Sequence, residues 1–175
     1  EESMDMHNRS PGNKSIMNFA EANKELGLNI VYDVIIDNPH ATEKMKLETA
    51  EFLLGLPMPY DIYFYSLNYF PGTSLTKEGL EDGSLDPNLV EGKTTKAWRQ
   101  FRVSMDWPRS DEDKFYLAIY CLASKSIVPR KVIRSLLDNK EHWKKNVEPI
   151  FYLAWAANYG KMFFVAWRYF KAGEL

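Results

Sequence analysis

The chain has 175 residues, of which 45% are hydrophobic and 26% are charged, a composition typical of one globular domain with a sizeable core. Its net charge of −2 comes from 24 acidic and 22 basic residues spread along the sequence, so no basic surface for nucleic acid is predicted. A single cysteine, Cys121, excludes a disulfide framework and any cysteine-only metal site within the chain. Its apolar neighbours favour a buried small side chain, and the low cysteine usage fits a cytoplasmic protein.

The first half of the sequence alternates helical and strand patterns. Residues 14–26 have helical apolar spacing and stop at Gly27, which suits the position after a helix. Residues 28–36 form a predicted strand, whose apolar run from Ile30 to Ile36 is broken only by Asp33. Such near-continuous apolarity is typical of a parallel strand that is covered on both faces.

The same alternation continues through residue 83. A helix is predicted at residues 43–54 with Thr42 as its cap, a second strand at 61–68, and a short helix at 74–82 that ends at Gly83. Helix, strand, helix, strand and helix at this spacing predict an α/β fold with two parallel strands. Because two parallel strands do not make a stable sheet alone, we expect them to need further strands as neighbours.

After residue 83 the pattern becomes helical. Residues 84–93 are polar and rich in turn formers, and helices are predicted at 94–105, 110–124, 129–137 and 147–170. Ser110 and Asp113 resemble the start of a capping box, and Pro129 suits a first helical turn. We therefore divide the chain into an α/β part (1–83), a linker (84–93) and an all-α extension (94–175).

One apolar stretch, residues 149–170, is about as long as a membrane span. Asn158, Gly160 and Lys161 lie at its centre, where a charge is expensive in a bilayer. We predict a helix buried in protein and no transmembrane segment.

The two strand exits are the candidate functional positions, since α/β proteins bind ligands beyond the carboxyl ends of their strands. Asp37, Asn38 and Pro39 follow the first strand, and their carboxylate, amide and backbone groups can hydrogen-bond a ribose or an adenine. Taken alone, however, this spacing favours an Asx-type turn that leads into the next helix. Tyr69 and Phe70 follow the second strand, where they either wall a planar ligand or pack the strand end.

No metal site or acid–base pair emerges from the sequence. His7, His40 and His142 are scattered without ligand spacing. A different α/β enzyme that uses Asp33 or Asp37 as acid or base stays open, but no partner residue presents itself.

At these exits the sequence resembles the radical S-adenosylmethionine (SAM) enzymes, particularly the branch often fused to a cobalamin-binding domain. Residues 32–42 are similar to the fifth-strand segment Y-D-x-I-x-D-N-P-x-x-T of one subgroup, and residues 66–75 to the sixth-strand segment S-L-x-x-F-P-G-T-x-L. Asn8 and Arg9 resemble an Asn-Arg pair found shortly after the fourth strand. The match covers residues 7–83 in the family's order and spacing, although Ala41 replaces a common acidic residue.

The resemblance implies the C-terminal part of a partial (β/α)6 barrel, TIM-like in form, that holds a [4Fe–4S] cluster and SAM. It places Ile36, Asp37, Asn38 and Pro39 beside the SAM adenine, chiefly through backbone groups. Tyr69 and Phe70 would line the mouth of the barrel, with Pro71 beside them. In the family, three cysteines of a C-x-x-x-C-x-x-C loop bind the cluster, and reduction cleaves SAM to a 5′-deoxyadenosyl radical.

That cysteine motif is absent here, and Cys121 cannot replace it. Together with the missing strands and a first residue that is not Met, this absence leads us to expect a piece of a longer enzyme. The missing N-terminal half of the barrel would be its partner. Such a piece would be inactive and would hold neither cluster nor SAM stably, and the substrate and the use of cobalamin stay open.

The alternative hypothesis is a non-catalytic α/β-plus-helical interaction module. In this interpretation the aromatic helix at residues 149–170 is the partner surface, and the chain has no affinity for SAM.

Overall fold

The computed structural model describes residues 12–38, 40–67, 69–88, 90 and 109–172, with the backbone alone for Tyr159, for residues 161–170 and for Ala172. The first part contains α1 (Asn13–Glu25), β1 (Ile30–Ile36), α2 (Glu43–Gly55), β2 (Tyr60–Ser66) and α3 (Ser74–Glu81). The second contains α4 (Asp111–Ala123), α5 (Arg130–Asp138), α6 (Lys140–Lys145) and α7 (Glu148–Ala172). The helix predicted at 94–105, together with Asn8, Arg9 and Pro39, lies outside the described residues.

The two described strands pair in parallel, as the order of the predicted elements requires. Ile30 is opposite Tyr60, and the register continues to Ile36 opposite Ser66. The fold is thus mixed α/β, mostly helical, with a small two-stranded parallel sheet. Its interpretation as part of a (β/α)6 barrel stays a prediction.

The sheet is covered on one of its two faces. Tyr60 and Ile62 are buried against the helices, and the residues of β1 that share their face pack on the same core. On the opposite face Val31, Ile35 and Tyr63 are 44%, 44% and 58% exposed. The prediction that both faces of β1 are covered is therefore wrong for the described chain, because its helical core lies on one face.

Side-chain caps explain where three of the helices begin. The hydroxyl of Thr42 accepts a hydrogen bond from the Met45 amide at 3.3 Å, and that of Ser110 accepts one from the Asp113 amide at 3.1 Å. Thr73 caps α3 in the same way. Each cap satisfies an amide that has no partner inside the helix. The predicted starts of these helices are confirmed.

Helix α4 forms the centre of the core. Nine consecutive residues are buried, namely Phe115, Tyr116, Leu117, Ala118, Ile119, Tyr120, Cys121, Leu122 and Ala123. It packs against α2 on one side and against α5, α6 and α7 elsewhere. One core cluster thus joins residues of the α/β part with those of the helical part.

Cys121 is buried in this core, as predicted. Its thiol lies 3.2 Å from the Ala154 carbonyl oxygen of α7, and burial raises the pKa of the thiol to about 11. A thiol held in this state is protonated at neutral pH and poorly nucleophilic.

None of the helices in the described part of the chain combines the length and the apolarity that a membrane crossing requires.

The Tyr60 hydroxyl links the strand to two helices, and we predict that its removal destabilises the fold. It lies 2.7 Å from the Leu53 carbonyl oxygen and 3.0 Å from that of Ala123. The hydroxyl has one proton and donates to one of these oxygens at a time. Tyr60→Phe removes that buried hydrogen bond, so the free energy of unfolding should fall by about 1–3 kcal/mol. Tyr63→Phe, on the exposed sheet face, should change it little. Urea unfolding measures both, and equal effects would contradict this role of the hydroxyl.

Candidate functional site

The two candidate exits lie side by side at one edge of the sheet. β1 and β2 end in register at Ile36 and Ser66, and the Leu67 amide donates a hydrogen bond to the Ile36 carbonyl oxygen at 2.8 Å. The carboxyl ends of both strands therefore present their following residues to the same region of space.

Asp37 leaves β1 in an unusual backbone conformation. Its φ is 63°, and among the described residues other than glycine it alone has a positive φ. L-residues enter this left-handed region at a steric cost, which Asp and Asn tolerate better than most. Something must hold the residue there.

A buried ion pair holds the Asp37 side chain. Arg109 donates from Nε to Oδ1 and from Nη2 to Oδ2, each at 2.9 Å, which is the two-pronged geometry favoured by guanidinium and carboxylate. The side chains of Arg109 and Asp37 are only 2% and 8% exposed. Nη2 also lies 3.5 Å from the Ser66 hydroxyl at the end of β2. The carboxylate is thus committed to the fold, and the Asp37 carbonyl oxygen lies within hydrogen-bond distance of the Tyr69 hydroxyl.

Asn38 forms the turn that its sequence favours. Its side-chain oxygen accepts a hydrogen bond from the His40 amide at 3.0 Å, and its carbonyl oxygen accepts one from Ala41 at 3.0 Å. The first is the bond of an Asx turn and the second is the backbone bond of a β-turn. In the described chain the His40 Nε2 atom is buried without a hydrogen-bond partner.

The second exit separates its two aromatic residues. Tyr69 is buried, packs with Leu85 and Val90, and places its hydroxyl 3.3 Å from the Asp37 carbonyl oxygen. Burial, with a contribution from the Asp37 charge, raises the pKa of the Tyr69 hydroxyl. Phe70 is about half exposed. Tyr69 therefore supports the first exit, and Phe70 is the aromatic residue that faces solvent.

A cavity of about 360 Å³ adjoins the exit of β1, which is large enough for a small ligand. Three of the predicted site residues line it, namely Ile36, Asp37 and Asn38, whereas Tyr69 and Phe70 do not. Its further lining comes from α2 and α4 and includes Lys46, Asp113, Tyr116 and Tyr120.

Charged residues bind α2 to the later helices beside this cavity. Lys46 lies 2.6 Å from Asp113 and 2.7 Å from Glu112. Burial lowers the pKa of Lys46, but the hydrogen bonds to the two carboxylates raise it by more, so the net shift is upward. Glu43 contacts Lys140, Lys144 and the Tyr116 hydroxyl. Hydrogen bonds from Lys140 and Lys144 lower the Glu43 pKa to about 2.

Sequence reasoning missed both Arg109 and this network. The partners are separated by 72 residues for Asp37 and Arg109 and by 97 for Glu43 and Lys140, so no local spacing connects them. The capping motif at Ser110, directly after Arg109, was the nearest available signal.

No group of His, Cys, Asp and Glu residues within the described ranges is arranged to hold a metal ion. Cys121 lies in the core, away from both exits.

Comparison with known proteins finds no match among protein-family models, curated proteins or solved structures. The resemblance to radical SAM enzymes therefore rests on the residues quoted above.

The Glu43 contacts should make stability depend on acid pH. Because the Glu43 pKa is lowered from 4.5 to about 2 in the folded protein, its contribution is present above about pH 4.5 and is lost as the pH falls toward 2. The side chain is 35% exposed, so solvent screening limits the effect to about 1 kcal/mol.

Glu43→Gln should remove this part of the pH dependence in urea unfolding measured between pH 5 and pH 2. Glu51→Gln, which breaks the exposed pair with Arg134, is the matched control and should retain it. An unchanged pH profile in Glu43→Gln would rule out this assignment.

Proposed function

We propose that the chain is the C-terminal part of a radical SAM catalytic domain, in which β1 and β2 are the fifth and sixth barrel strands. The observation that carries the proposal is the register of Ile36 with Ser66. It brings the two motif segments, whose strand ends are 30 positions apart in sequence, to one edge of one parallel sheet. Adjacent strands of a barrel require this arrangement.

The exposed face of the sheet supports the same assignment. Each barrel strand packs helices on its outer face and turns the other toward the barrel interior. Here the helical core takes one face, and Val31, Ile35 and Tyr63 lie on the other. In the proposed barrel this second face is covered by the interior of the completed domain.

The chemistry of the first exit fits the nucleoside part of SAM. Asp37 binds Arg109 through its carboxylate, and the carbonyl oxygens of Ile36, Asp37 and Asn38 each accept a hydrogen bond within the fold. A carbonyl oxygen has two lone pairs, so each of them can accept a second hydrogen bond from a ligand such as an adenine amino group. An adenine ring offers both donors and acceptors along its edge, which backbone groups can meet. Ile36 adds an apolar surface, and Phe70 offers an exposed ring near the mouth.

The residues present do not fit the [4Fe–4S] cluster, since Cys121 is buried in the helical core. We therefore place the cluster ligands on strands outside this chain. In the longer protein, such a cluster would supply the electron for reductive cleavage of SAM. The chain's own residues hold and orient the adenosyl group.

A second candidate, the protein-interaction module, is favoured by α7. Tyr152, Leu153 and Trp155 are exposed along the first turns of this helix, and aromatic residues are enriched at binding surfaces. In this case the chain functions without SAM and α7 is the partner-binding helix.

The reading frame that precedes Glu1 and the protein it encodes test the proposal. We expect a C-x-x-x-C-x-x-C motif upstream. The longer protein, reconstituted anaerobically with iron and sulfide and then reduced, should release 5′-deoxyadenosine from SAM, measured by chromatography. Replacing a motif cysteine by Ser should abolish cluster absorbance, whereas Cys121→Ser should not.

The isolated 175-residue chain should acquire no cluster absorbance under the same reconstitution. Stoichiometric cluster binding by this chain would overturn the proposal. A start codon directly upstream, with no cysteine motif, would favour the interaction module.

A further inference from the structure

We propose that Arg109 is a positioning residue that holds the exit of β1 in the conformation needed to present its backbone groups. The part of this proposal that concerns the adenosyl ligand rests on the proposed function. The part that concerns the conformation of the exit does not.

The first step is the backbone of Asp37. Its φ of 63° lies in a region that an L-residue occupies at a steric cost, which is smaller for Asp than for most residues. Rotation of this residue into the ordinary extended region would change the direction in which the chain leaves β1. The direction of the turn therefore depends on what holds Asp37.

The second step is the set of contacts that hold it. The Arg109 guanidinium engages both carboxylate oxygens, while the Tyr69 hydroxyl lies 3.3 Å from the carbonyl oxygen of the same residue. Side chain and backbone are thus fixed from two different segments. A lysine at position 109 could offer only a point charge, because the two-pronged geometry belongs to the guanidinium.

The third step is the position of Arg109 in the chain. Arg109 directly precedes Ser110, the cap of α4, and α4 is the buried centre of the core. Its backbone is therefore anchored by the most constrained helix of the protein. The helical extension, on this proposal, completes the ligand site by fixing the strand exit from behind.

Four variants of the chain test the conformational part: Arg109→Met, Arg109→Lys, the double variant Asp37→Asn with Arg109→Met, and the control Arg134→Met. Arg109→Met leaves a buried carboxylate unpaired, so the whole fold loses stability. The double variant removes that charge, and Asn also tolerates a positive φ. Global stability should therefore recover in the double variant, while the two-pronged restraint stays absent.

Amide hydrogen exchange at His40 and Ala41 separates positioning from stability, because both amides donate to Asn38 within the turn. In the double variant these amides should exchange at least about tenfold faster than in the wild type, at equal global stability by urea unfolding. Arg109→Lys should be intermediate and Arg134→Met unchanged. Wild-type exchange at both positions in the double variant would overturn the proposal.

The ligand part is measured in the longer protein by titration with S-adenosylhomocysteine. The double variant should bind it at least about tenfold more weakly, and the KM for SAM should rise more than kcat falls. If the wild-type protein does not bind this nucleoside, the proposed function fails, while the exchange experiment still decides the role of Arg109. Unchanged affinity in the double variant would overturn the positioning role.

Discussion

The burial of α4 on all sides is the constraint on which the rest of the structure depends. Residues 115–123 of this helix are buried on every side, so they need neighbours in every direction, and α2, α5, α6 and α7 supply them. This packing also provides a partner for a buried polar atom of α4: the Tyr120 hydroxyl donates a hydrogen bond to the Lys46 carbonyl oxygen at 2.8 Å. Because α4 begins at Asp111, directly after its Ser110 cap, its position also fixes where Arg109 emerges beside the strands.

At the candidate site, contacts hold both the side chain and the backbone of Asp37. The charged group of Asp37, which looks from the sequence like the chemically interesting one, is consumed in anchoring the exit. The backbone of the exit is held as well, since the carbonyl oxygens of Ile36, Asp37 and Asn38 accept hydrogen bonds from the segments that follow. The second exit follows the same logic, since Tyr69 is buried as a support while Phe70 remains accessible.

Local signals made much of this structure predictable. Thr42, Thr73 and Ser110 cap their helices because each directly precedes its helix and its hydroxyl accepts a hydrogen bond from the backbone amide three residues later. The order of the elements determines the parallel pairing of the strands. Helix α6 was missed because Lys140–Lys145 is short, polar and without a buried face. An apolar run such as Ile30–Ile36 does not reveal which face finds a partner, and no spacing links Asp37 to Arg109. Tertiary contacts decided those features.

The difference in burial between the two sets of ion pairs has a consequence for how the protein responds to salt. Mobile ions screen charges that water can reach, with a screening length of about 8 Å at physiological ionic strength. Glu43, Lys140 and Glu141 are accessible to such ions, whereas Asp37 and Arg109 are almost completely shielded. Rising ionic strength therefore loosens the attachment of α6 to α2 while leaving the strand exit in place. The ion pairs between α2 and α6 are therefore sensitive to salt, whereas the ion pair between Asp37 and Arg109 at the candidate site resists it.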